Sequence, residues 1–383
     1  MEQQTRSGRA RAHVARLTAT TVRALGRFAL LALATIPAVS SSLPGRAAAR
    51  EWTEEDFEKK IMGRPYLVVN SADPMQAHTV IGSTRYYQVQ KKDTFLDIAR
   101  YYSLGYNELF DANPGMDPWV PPVGQAIMLP TEWVLPDAPF TGVVVNIPEM
   151  RLYYFHPGRE TNLVSTYPVG LGRDEWRTPR GNFKIRGKTK NPMWVLPESI
   201  KREHIKDGKP APDFIAGGDP ENPLGKYRFE LTMNAYGIHG TDIPWGVGMQ
   251  VSHGCVRLYP EDIERLFPTV PIGTPGQFVY QPVKVGARGG RVYLEVHKDI
   301  YDQVPGMYRE AVRQIGQRGW GEVVDRARVE RAVLEQSGVP IDITRDADVD
   351  EVQDETLRSR TQRAPGPATA STRQPAAVHR TTE

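Results

Sequence analysis

The one cysteine of this 383-residue chain, Cys255, lies in the run Val-Ser-His-Gly-Cys-Val-Arg-Leu at positions 251–258. A thiolate attacks carbonyl carbon, but a free cysteine has a pKa of about 8.5 and is mostly protonated at neutral pH. Catalysis by a thiol therefore needs a base beside it and amide hydrogens that meet the developing oxyanion. Because no second cysteine is present to form an internal disulfide, the neighbouring histidine and glycine favour a reactive nucleophile over an inert buried thiol.

Two histidines are candidates for the base. His239 lies sixteen residues upstream in the run His-Gly-Thr, a spacing that lets two neighbouring strand ends converge on Cys255. His253 is only two positions away, and in an extended segment such side chains point the same way but lean apart. We therefore assign proton transfer to His239, with the carbonyl of Gly240 or a nearby residue fixing its tautomer. His253 is expected to brace the loop.

The residues next to the cysteine complete the predicted site. Gly254 lets the backbone N–H groups of Gly254 and Cys255 face the substrate without a Cβ in the way. Arg257 is expected to bind a substrate carboxylate or to tie the loop down. Two alternatives remain open: His239 is a core histidine, or His239, His253 and Cys255 bind zinc. The chain has no Cys-x-x-Cys or His-Glu-x-x-His motif, so we expect neither a metal nor a cofactor.

The elements that must position these residues are mostly strands. Residues 140–282 are rich in β-branched and aromatic residues and are interrupted by glycine and proline, which predicts a mainly β domain. The apolar runs 142–147 and 151–155 predict a hairpin. A helix is predicted over 260–267, where acidic residues occupy the first turn.

Two runs of this domain resemble the signature of the L,D-transpeptidase catalytic domain, Gram-negative branch: His239-Gly240-Thr241 and Ser252-His253-Gly254-Cys255-Val256-Arg257-Leu258. The runs Thr-Pro-Arg-Gly at 178–181 and Asn-Pro-Leu-Gly at 222–225 match the same branch. The resemblance implies a β-sandwich-like domain over 140–282, with Cys255 as nucleophile and His239 as proton donor and acceptor. It also implies that the site is shaped by Ser252, His253, Gly254, Gly240 and Arg257.

The activity that this resemblance implies is acyl transfer on peptidoglycan. Cys255 would attack the peptide bond before the terminal D-alanine of a tetrapeptide stem, releasing D-alanine and leaving a thioester. An amine of another stem, or of an anchored outer-membrane lipoprotein, would then resolve the thioester. Two alternatives remain: a cysteine carboxypeptidase or amidase of peptidoglycan or lipoprotein linkages, and a non-catalytic wall-binding protein. The intact pair of His239 and Cys255 favours an enzyme.

A compact unit precedes the catalytic segment, and a proline-containing linker joins the two. Its pattern predicts a small βααβ domain over residues 86–131, in which Asp93 caps the first helix. The predicted elements are a strand at 87–90, helices over 94–102 and 107–112, and a last strand at 126–130.

This unit resembles a LysM domain, a module that binds glycans containing N-acetylglucosamine. Lys92 stands where the family usually has glycine, and residues 117–123 lengthen the loop before the last strand. The resemblance implies peptidoglycan glycan as a partner; the alternative is a small helical adaptor without sugar affinity. The matching runs are Tyr87-Gln88-Val89, Asp93-Thr94, Ile98-Ala99, Asn107-Glu108-Leu109, Asn113-Pro114 and Ile127-Met128-Leu129-Pro130.

The first 49 residues have the layout of a secretory signal peptide: an arginine-rich start, an apolar run at 28–39, and small residues ending in Ala-Ala-Ala. The apolar run is shorter than the ~20 residues that a membrane span needs, so cleavage is favoured over an inner-membrane anchor. This segment holds seven arginines and one acidic residue, and the whole chain has a net charge of +3, so the remainder is net negative. We therefore expect a periplasmic protein with no charge-based case for binding nucleic acid.

The C-terminal part divides into two segments. Residues 283–345 are expected to form an α/β extension, with a strand at 291–296 and helices at about 307–316 and 326–336. Residues 346–383 are polar and lack aromatic side chains, which predicts a disordered tail.

Overall fold

The computed structural model of the protein describes residues 65–158 and 162–346. The predicted signal peptide at 1–49 and the predicted tail beyond Asp346 lie outside the described residues. Within the described ranges, no helix is both long enough and apolar enough to span a membrane.

The first part of the described chain supplies short strands and two short helices. Their bounds are β1 (Tyr66–Leu67), β2 (Val80–Gly82), β3 (Arg85–Gln88), α1 (Phe95–Tyr101), α2 (Tyr106–Asp111), β4 (Ala126–Leu129) and β5 (Glu132–Val134). β3 pairs antiparallel with β4, and β2 pairs antiparallel with β5. The order strand, helix, helix, strand that the sequence predicts over 86–131 is therefore present as β3, α1, α2 and β4.

The first helix is capped by a different residue from the one predicted. The N-cap of α1 is Thr94, whose Oγ1 accepts a hydrogen bond from the Asp97 N–H at 3.3 Å. The expectation that Asp93 caps this helix is wrong, because its carboxylate accepts hydrogen bonds from the Tyr87 hydroxyl and the Gln90 N–H, each at 2.7 Å. Asp93 is buried and joins β3 to the start of α1.

The central part of the chain forms a long mixed sheet. Its elements are β6 (Gly142–Asn146), β7 (Arg151–His156), β8 (Leu163–Pro168), β9 (Leu171–Gly172), β10 (Gly181–Lys190), β11 (Trp194–Val195), α3 (Glu198–Lys206), β12 (Phe214–Ile215), β13 (Tyr227–Leu231), β14 (Gly237–His239), β15 (Gln250–Ser252), β16 (Val256–Arg257), α4 (Pro260–Thr269) and β17 (Pro275–Val279). In the described part of the chain, the main sheet has the order β1-β8-β7-β6-β17-β10-β13-β14-β16. The prediction of a mainly β domain is confirmed. The predicted hairpin is β6–β7, and the predicted helix is α4, which extends to Thr269.

Both faces of the β6–β7 hairpin are buried. Val145 and Leu152 pack on one face in a core that includes Leu266 of α4. Val144 and Tyr153 point to the other face and pack in a second core against α1, α2 and the strands beside them. Because successive strand residues project to opposite faces, a sheet covered on both sides needs no polar alternation. The N-terminal unit is therefore a layer of the fold and not a separate lobe.

A buried ion pair connects this layer to the sheet. Arg151 of β7 donates to the Glu108 carboxylate of α2 at 2.7 Å, and both side chains are almost completely buried. The indole N–H of Trp133 donates to the same carboxylate at 2.7 Å, and the guanidinium of Arg151 lies 4.2 Å from the Trp133 ring centroid. Each charge therefore has its counter-ion and a further contact with Trp133, as burial of an ion pair requires.

The last part of the described chain has its own small sheet. Its elements are β18 (Val283–Arg288), β19 (Arg291–Val296), α5 (Met307–Gln317), α6 (Arg326–Glu335) and β20 (Ile341–Asp342). β19 pairs antiparallel with both β18 and β20, and apolar residues of α5 and α6 share a core with them. The strand and the two helices that the sequence predicts after residue 283 are present.

A second buried ionic cluster connects this small sheet to the rest. The Lys284 ammonium of β18 contacts the carboxylates of Glu149 and Glu295 at 2.8 and 2.7 Å, and all three side chains are fully buried. It also donates to the Val134 carbonyl of β5 at 2.6 Å. Three segments far apart in sequence therefore meet at one ammonium group.

We predict that Glu108→Gln lowers the free energy of unfolding by ~3–5 kcal/mol, because the substitution leaves the buried Arg151 charge without a counter-ion. Urea unfolding of the full chain, followed by circular dichroism, measures this loss. Lys209→Ala is the matched control: it breaks an exposed ion pair with Asp207 and should cost ~1 kcal/mol or less. A Glu108→Gln protein as stable as the control would contradict the prediction.

Candidate active site

The site is built on a parallel strand pair at one edge of the sheet. β14 and β16 are neighbours with Ile238 opposite Val256 and His239 opposite Arg257. Ile238 and Val256 are buried in the main core. Because side chains alternate along a strand, His239 and Arg257 project to the other face. Cys255 immediately precedes β16. The register of β14 and β16 therefore brings together the two strand ends that carry His239 and Cys255, as the spacing predicts.

His239 has a defined tautomer. Its Nδ1 lies 2.7 Å from the Gly240 carbonyl oxygen, as the sequence predicts. A carbonyl oxygen only accepts hydrogen bonds, so Nδ1 carries the proton and Nε2 keeps a free lone pair. Burial, followed by the charge of Arg257, lowers the pKa of His239 to about 3, against the weaker opposing effect of the Gly240 hydrogen bond. The imidazole is therefore neutral at physiological pH.

Cys255 is a protonated thiol in the resting state. Burial raises the pKa of its thiol above the usual value, although the Gly237 N–H and the charges of Arg228 and Arg257 act in the opposite direction. Its Sγ lies 3.8 Å from the Ala235 carbonyl oxygen, to which the thiol donates. Cys255 and His239 thus form a neutral pair, and thiolate is generated only when a proton is transferred.

Both side chains open on one cavity of about 230 Å³. One wall comes from the segment that links β10 to β13 and carries α3. Asn222 fixes the base of this segment, because its amide donates to the Pro192 and Ala216 carbonyl oxygens at 2.9 Å each. The lining residues are Trp176, Trp194, Pro197, Ser199, Ile200, Pro223, Leu224, Ala235, Tyr236, His239, Ser252, His253, Cys255 and Arg257.

The loop before Cys255 is closed by Ser252. Its buried hydroxyl donates to the Cys255 carbonyl at 2.6 Å and accepts from the Gly254 N–H at 3.1 Å. The expectation that the Gly254 N–H faces the substrate is therefore wrong, because Ser252 already binds it; the Cys255 N–H remains the candidate oxyanion donor. Gly254 has φ +97°, and a Cβ there would lie 2.7 Å from Tyr236 Cε1, so this position requires glycine.

His253 binds residues outside the loop. Its Nε2 lies 2.7 Å from the Glu203 carboxylate of α3 and 2.7 Å from Arg173, which also pairs with Glu203 at 2.6 Å. Hydrogen bonds from His253 and Arg173 lower the pKa of Glu203 to about 2, so its carboxylate stays ionised. The geometry fits the predicted bracing role. Sequence reasoning missed Glu203 and Arg173, since nothing local to either residue indicates that contact.

Thr178 of the Thr-Pro-Arg-Gly run supports the same loop from the other side. Its hydroxyl donates to the Gly254 carbonyl at 3.1 Å and accepts from the Gly172 N–H at 3.0 Å. Thr178 is buried. The run therefore helps to position the cysteine loop without reaching the cavity itself.

Among the described residues, the group that could bind a metal ion does not include Cys255. In residues 65–158 and 162–346, the one His/Cys/Asp/Glu group with ligand atoms within 4.8 Å of one another is Glu149, Glu295 and His297. Lys284 donates to both carboxylates of this group. A cation at this position would therefore have to displace a buried ammonium.

Comparison with known proteins identifies the family. The family model of the L,D-transpeptidase catalytic domain matches residues 141–285. "Probable L,D-transpeptidase ErfK/SrfK" of Salmonella typhimurium is 33% identical over 291 residues, which span 73% of this chain and 92% of that protein. "Probable L,D-transpeptidase YbiS" of Escherichia coli is 36% identical over 255 residues, 63% of this chain and 81% of that protein. L,D-transpeptidase 3 of Mycobacterium tuberculosis overlaps 42% of this chain and 73% of its own, with 19% identity and a TM-score of 0.26.

The sequence relationship is sufficient by itself to assign the family, because the alignment with the Salmonella protein covers most of both chains at more than 30% identity. The chain belongs to the L,D-transpeptidase family. It is an enzyme, an L,D-transpeptidase, of a family that acts on the stem peptides of peptidoglycan.

We predict that the neutral pair is visible in the pH dependence of alkylation. The pKa of Cys255 is raised above its usual value and that of His239 is about 3, so neither group titrates between pH 5 and 8. The rate constant for iodoacetamide alkylation of the full chain should therefore rise about tenfold per pH unit, with no plateau before pH 9. Cys255→Ala is the unlabelled control. A plateau at neutral pH would instead indicate a preformed thiolate–imidazolium pair.

Proposed function

We propose that Cys255 is the nucleophile of this L,D-transpeptidase and that His239 is its proton donor and acceptor. The observation that carries the proposal is the parallel register of β14 and β16, which directs both side chains to one cavity. The Nδ1 hydrogen bond to Gly240 leaves the Nε2 lone pair available for the thiol proton. Ser252, Gly254 and Gly240 act through the backbone geometry that they hold, and His253 acts as a brace.

The first half-reaction forms a thioester. The sulfur of Cys255 bonds to the carbonyl carbon that precedes the terminal D-alanine of a tetrapeptide stem, while its proton moves to His239 Nε2. The Cys255 N–H stabilises the oxyanion. The carbon–nitrogen bond then breaks, and the imidazolium of His239 gives its proton to the leaving amine of D-alanine.

The second half-reaction regenerates the thiol. The amine of an acceptor attacks the thioester carbonyl and loses a proton to His239, which passes it to the departing sulfur of Cys255. The acceptor that we propose is an amine of a second stem or of an anchored outer-membrane lipoprotein. Water in the same place would make the enzyme a carboxypeptidase. The signal-peptide layout of residues 1–49 supports export, so we propose that the reaction takes place in the periplasm.

We predict that the full chain converts purified tetrapeptide muropeptides into dimers that have lost one D-alanine, detected by mass spectrometry. Cys255→Ala should form neither product nor thioester. His239→Ala should acylate about 10²–10⁴-fold more slowly, because a positioned general base contributes a factor of this size.

Each result separates the candidate functions. Monomers that only lose D-alanine would favour the carboxypeptidase reaction. An unchanged muropeptide pool with wild-type enzyme would contradict the proposed donor. A His239→Ala variant that acylates at the wild-type rate would remove His239 from its proposed role and make His253 the next candidate.

We also propose that the unit at 86–131 binds peptidoglycan glycan. Its βααβ order and the runs quoted above support this assignment. The loop between α2 and β4 presents Trp119, whose side chain is 59% exposed, and an exposed indole offers an apolar face to a sugar ring. Because the unit shares a core with the sheet, its glycan would be held in a fixed orientation relative to the cavity.

We predict that Trp119→Ala weakens retention of the full chain on purified sacculi in a co-sedimentation assay, while turnover of soluble muropeptides is unchanged. Tyr308→Ala, at an exposed aromatic position on α5, is the matched control and should retain wild-type binding. Deletion of the unit is unsuitable as a test, because it would expose the second core. Retention of Trp119→Ala equal to that of the control would contradict a role for this loop.

A further inference from the structure

A cross-strand row of three residues passes through the active site. β16, β14 and β13 are adjacent, and their registers place Arg257 opposite His239 and His239 opposite Arg228. Directly opposed residues project to the same face of a sheet. Ile238 and Phe229, which alternate with them, are buried in the main core. The row therefore lies on the active-site face, with His239 between two arginines.

The side chain of Arg228 packs beside Gly237, which lies two residues before His239 on β14. A Cβ on Gly237 would lie 3.4 Å from Arg228 Nε and 3.9 Å from Arg228 Nη2. The N–H of the same Gly237 acts to lower the pKa of the Cys255 thiol. The guanidinium of Arg228 thus lies beside Gly237, and its charge favours thiolate at Cys255 and neutral imidazole at His239.

These two arginines differ from the other guanidinium groups around the site. Arg173 and Arg177 each pair with a carboxylate. In the described part of the chain, neither Arg228 nor Arg257 has a carboxylate within ion-pair distance, although Asp242 acts on Arg257 from farther away. Each has a buried Nε without a hydrogen-bond partner. The acid next to Arg228 on its face, Glu230, pairs with Arg186.

Unpaired, partly buried guanidinium groups are costly unless a ligand supplies the counter-charge. Arginine presents a planar fork that matches a carboxylate in bidentate geometry. Arg257 lines the cavity and Arg228 lies across β14 from it, so both charges act on a substrate carboxylate bound beside Cys255.

We infer that Arg228, together with Arg257, binds the terminal carboxylate of the tetrapeptide donor, the one on the D-alanine that leaves. The inference rests on the proposed function. That carboxylate is separated from the attacked carbonyl carbon by a single residue, at most about 3.6 Å of chain. It is therefore the substrate carboxylate that reaches the side chains around Cys255, and Arg228 is a specificity-determining residue for donors with a free C-terminus.

The test compares two donors in each protein: a tetrapeptide that ends in D-alanine and the same peptide that ends in D-alaninamide. The rate of Cys255 acylation is read from the intact mass of the full chain. Wild type should prefer the free acid by about 10- to 100-fold, the usual range for a hydrogen bond to a charged group. Arg228→Gln should reduce this ratio to within a few-fold, Arg228→Lys should give an intermediate ratio, and Arg186→Gln should keep the wild-type ratio.

The ratio of two donors in one protein does not depend on the fraction that is folded, so partial misfolding of a variant does not obscure the result. Equal slowing of both donors in Arg228→Gln would overturn the inference, because the residue would then act on the thiol or the fold alone. Loss of preference in Arg257→Gln only would assign the carboxylate to Arg257 and overturn it too. A wild type without preference would overturn it while leaving the proposed function intact, whereas no acylation by either donor would contradict the proposed function itself.

Discussion

The active site depends on the parallel pairing of β14 and β16. Parallel neighbours need a crossover connection, and here it runs over residues 240–255, leaving β14 and returning beside it. The N-terminal unit holds this connection: the Tyr106 N–H donates to the Val247 carbonyl at 3.2 Å. A Cβ on Gly248 would lie 2.3 Å from the backbone of Gly105. The crossover that leads back to Cys255 is thus contacted by a unit whose predicted role is glycan binding.

This contact changes how the N-terminal unit can assist catalysis. A flexible tether raises the local concentration of substrate without selecting its orientation. A unit fixed by the buried Glu108–Arg151 pair and by a shared core would hold a bound glycan strand at one angle to the cavity. Only stems that leave the strand in the matching direction would then reach Cys255. The buried ion pair in this interface would therefore contribute to the orientation of the glycan as well as to stability.

Sequence reasoning succeeded where the signal is local. The apolar runs located the hairpin, and the strand at 291–296 was also predicted. The spacing of Cys255 and His239 predicted that they converge, and the Gly240 carbonyl was predicted as a partner that fixes the tautomer. It failed where the partner is distant. Arg228 is unremarkable within its strand and gains meaning only from the register with His239. The prediction for the Gly254 N–H failed for another reason, because the hydroxyl of Ser252, two residues earlier in the sequence, accepts its hydrogen bond at 3.1 Å.

The two arginines beside His239 affect the proton donor and the proton acceptor of the site differently, and a bound carboxylate would weaken both effects. Their charges favour thiolate but disfavour imidazolium, so in the empty site a proton transfer from Cys255 to His239 is opposed at its receiving end. A carboxylate on Arg228 and Arg257 would neutralise much of that field and let His239 accept the proton. The same carboxylate departs with D-alanine once His239 has protonated the leaving amine, which restores the field and disfavours imidazolium at His239 before the acceptor amine arrives. The carboxylate of the donor would thus help His239 to accept the proton of Cys255, so the thiol would react chiefly when a donor occupies the site.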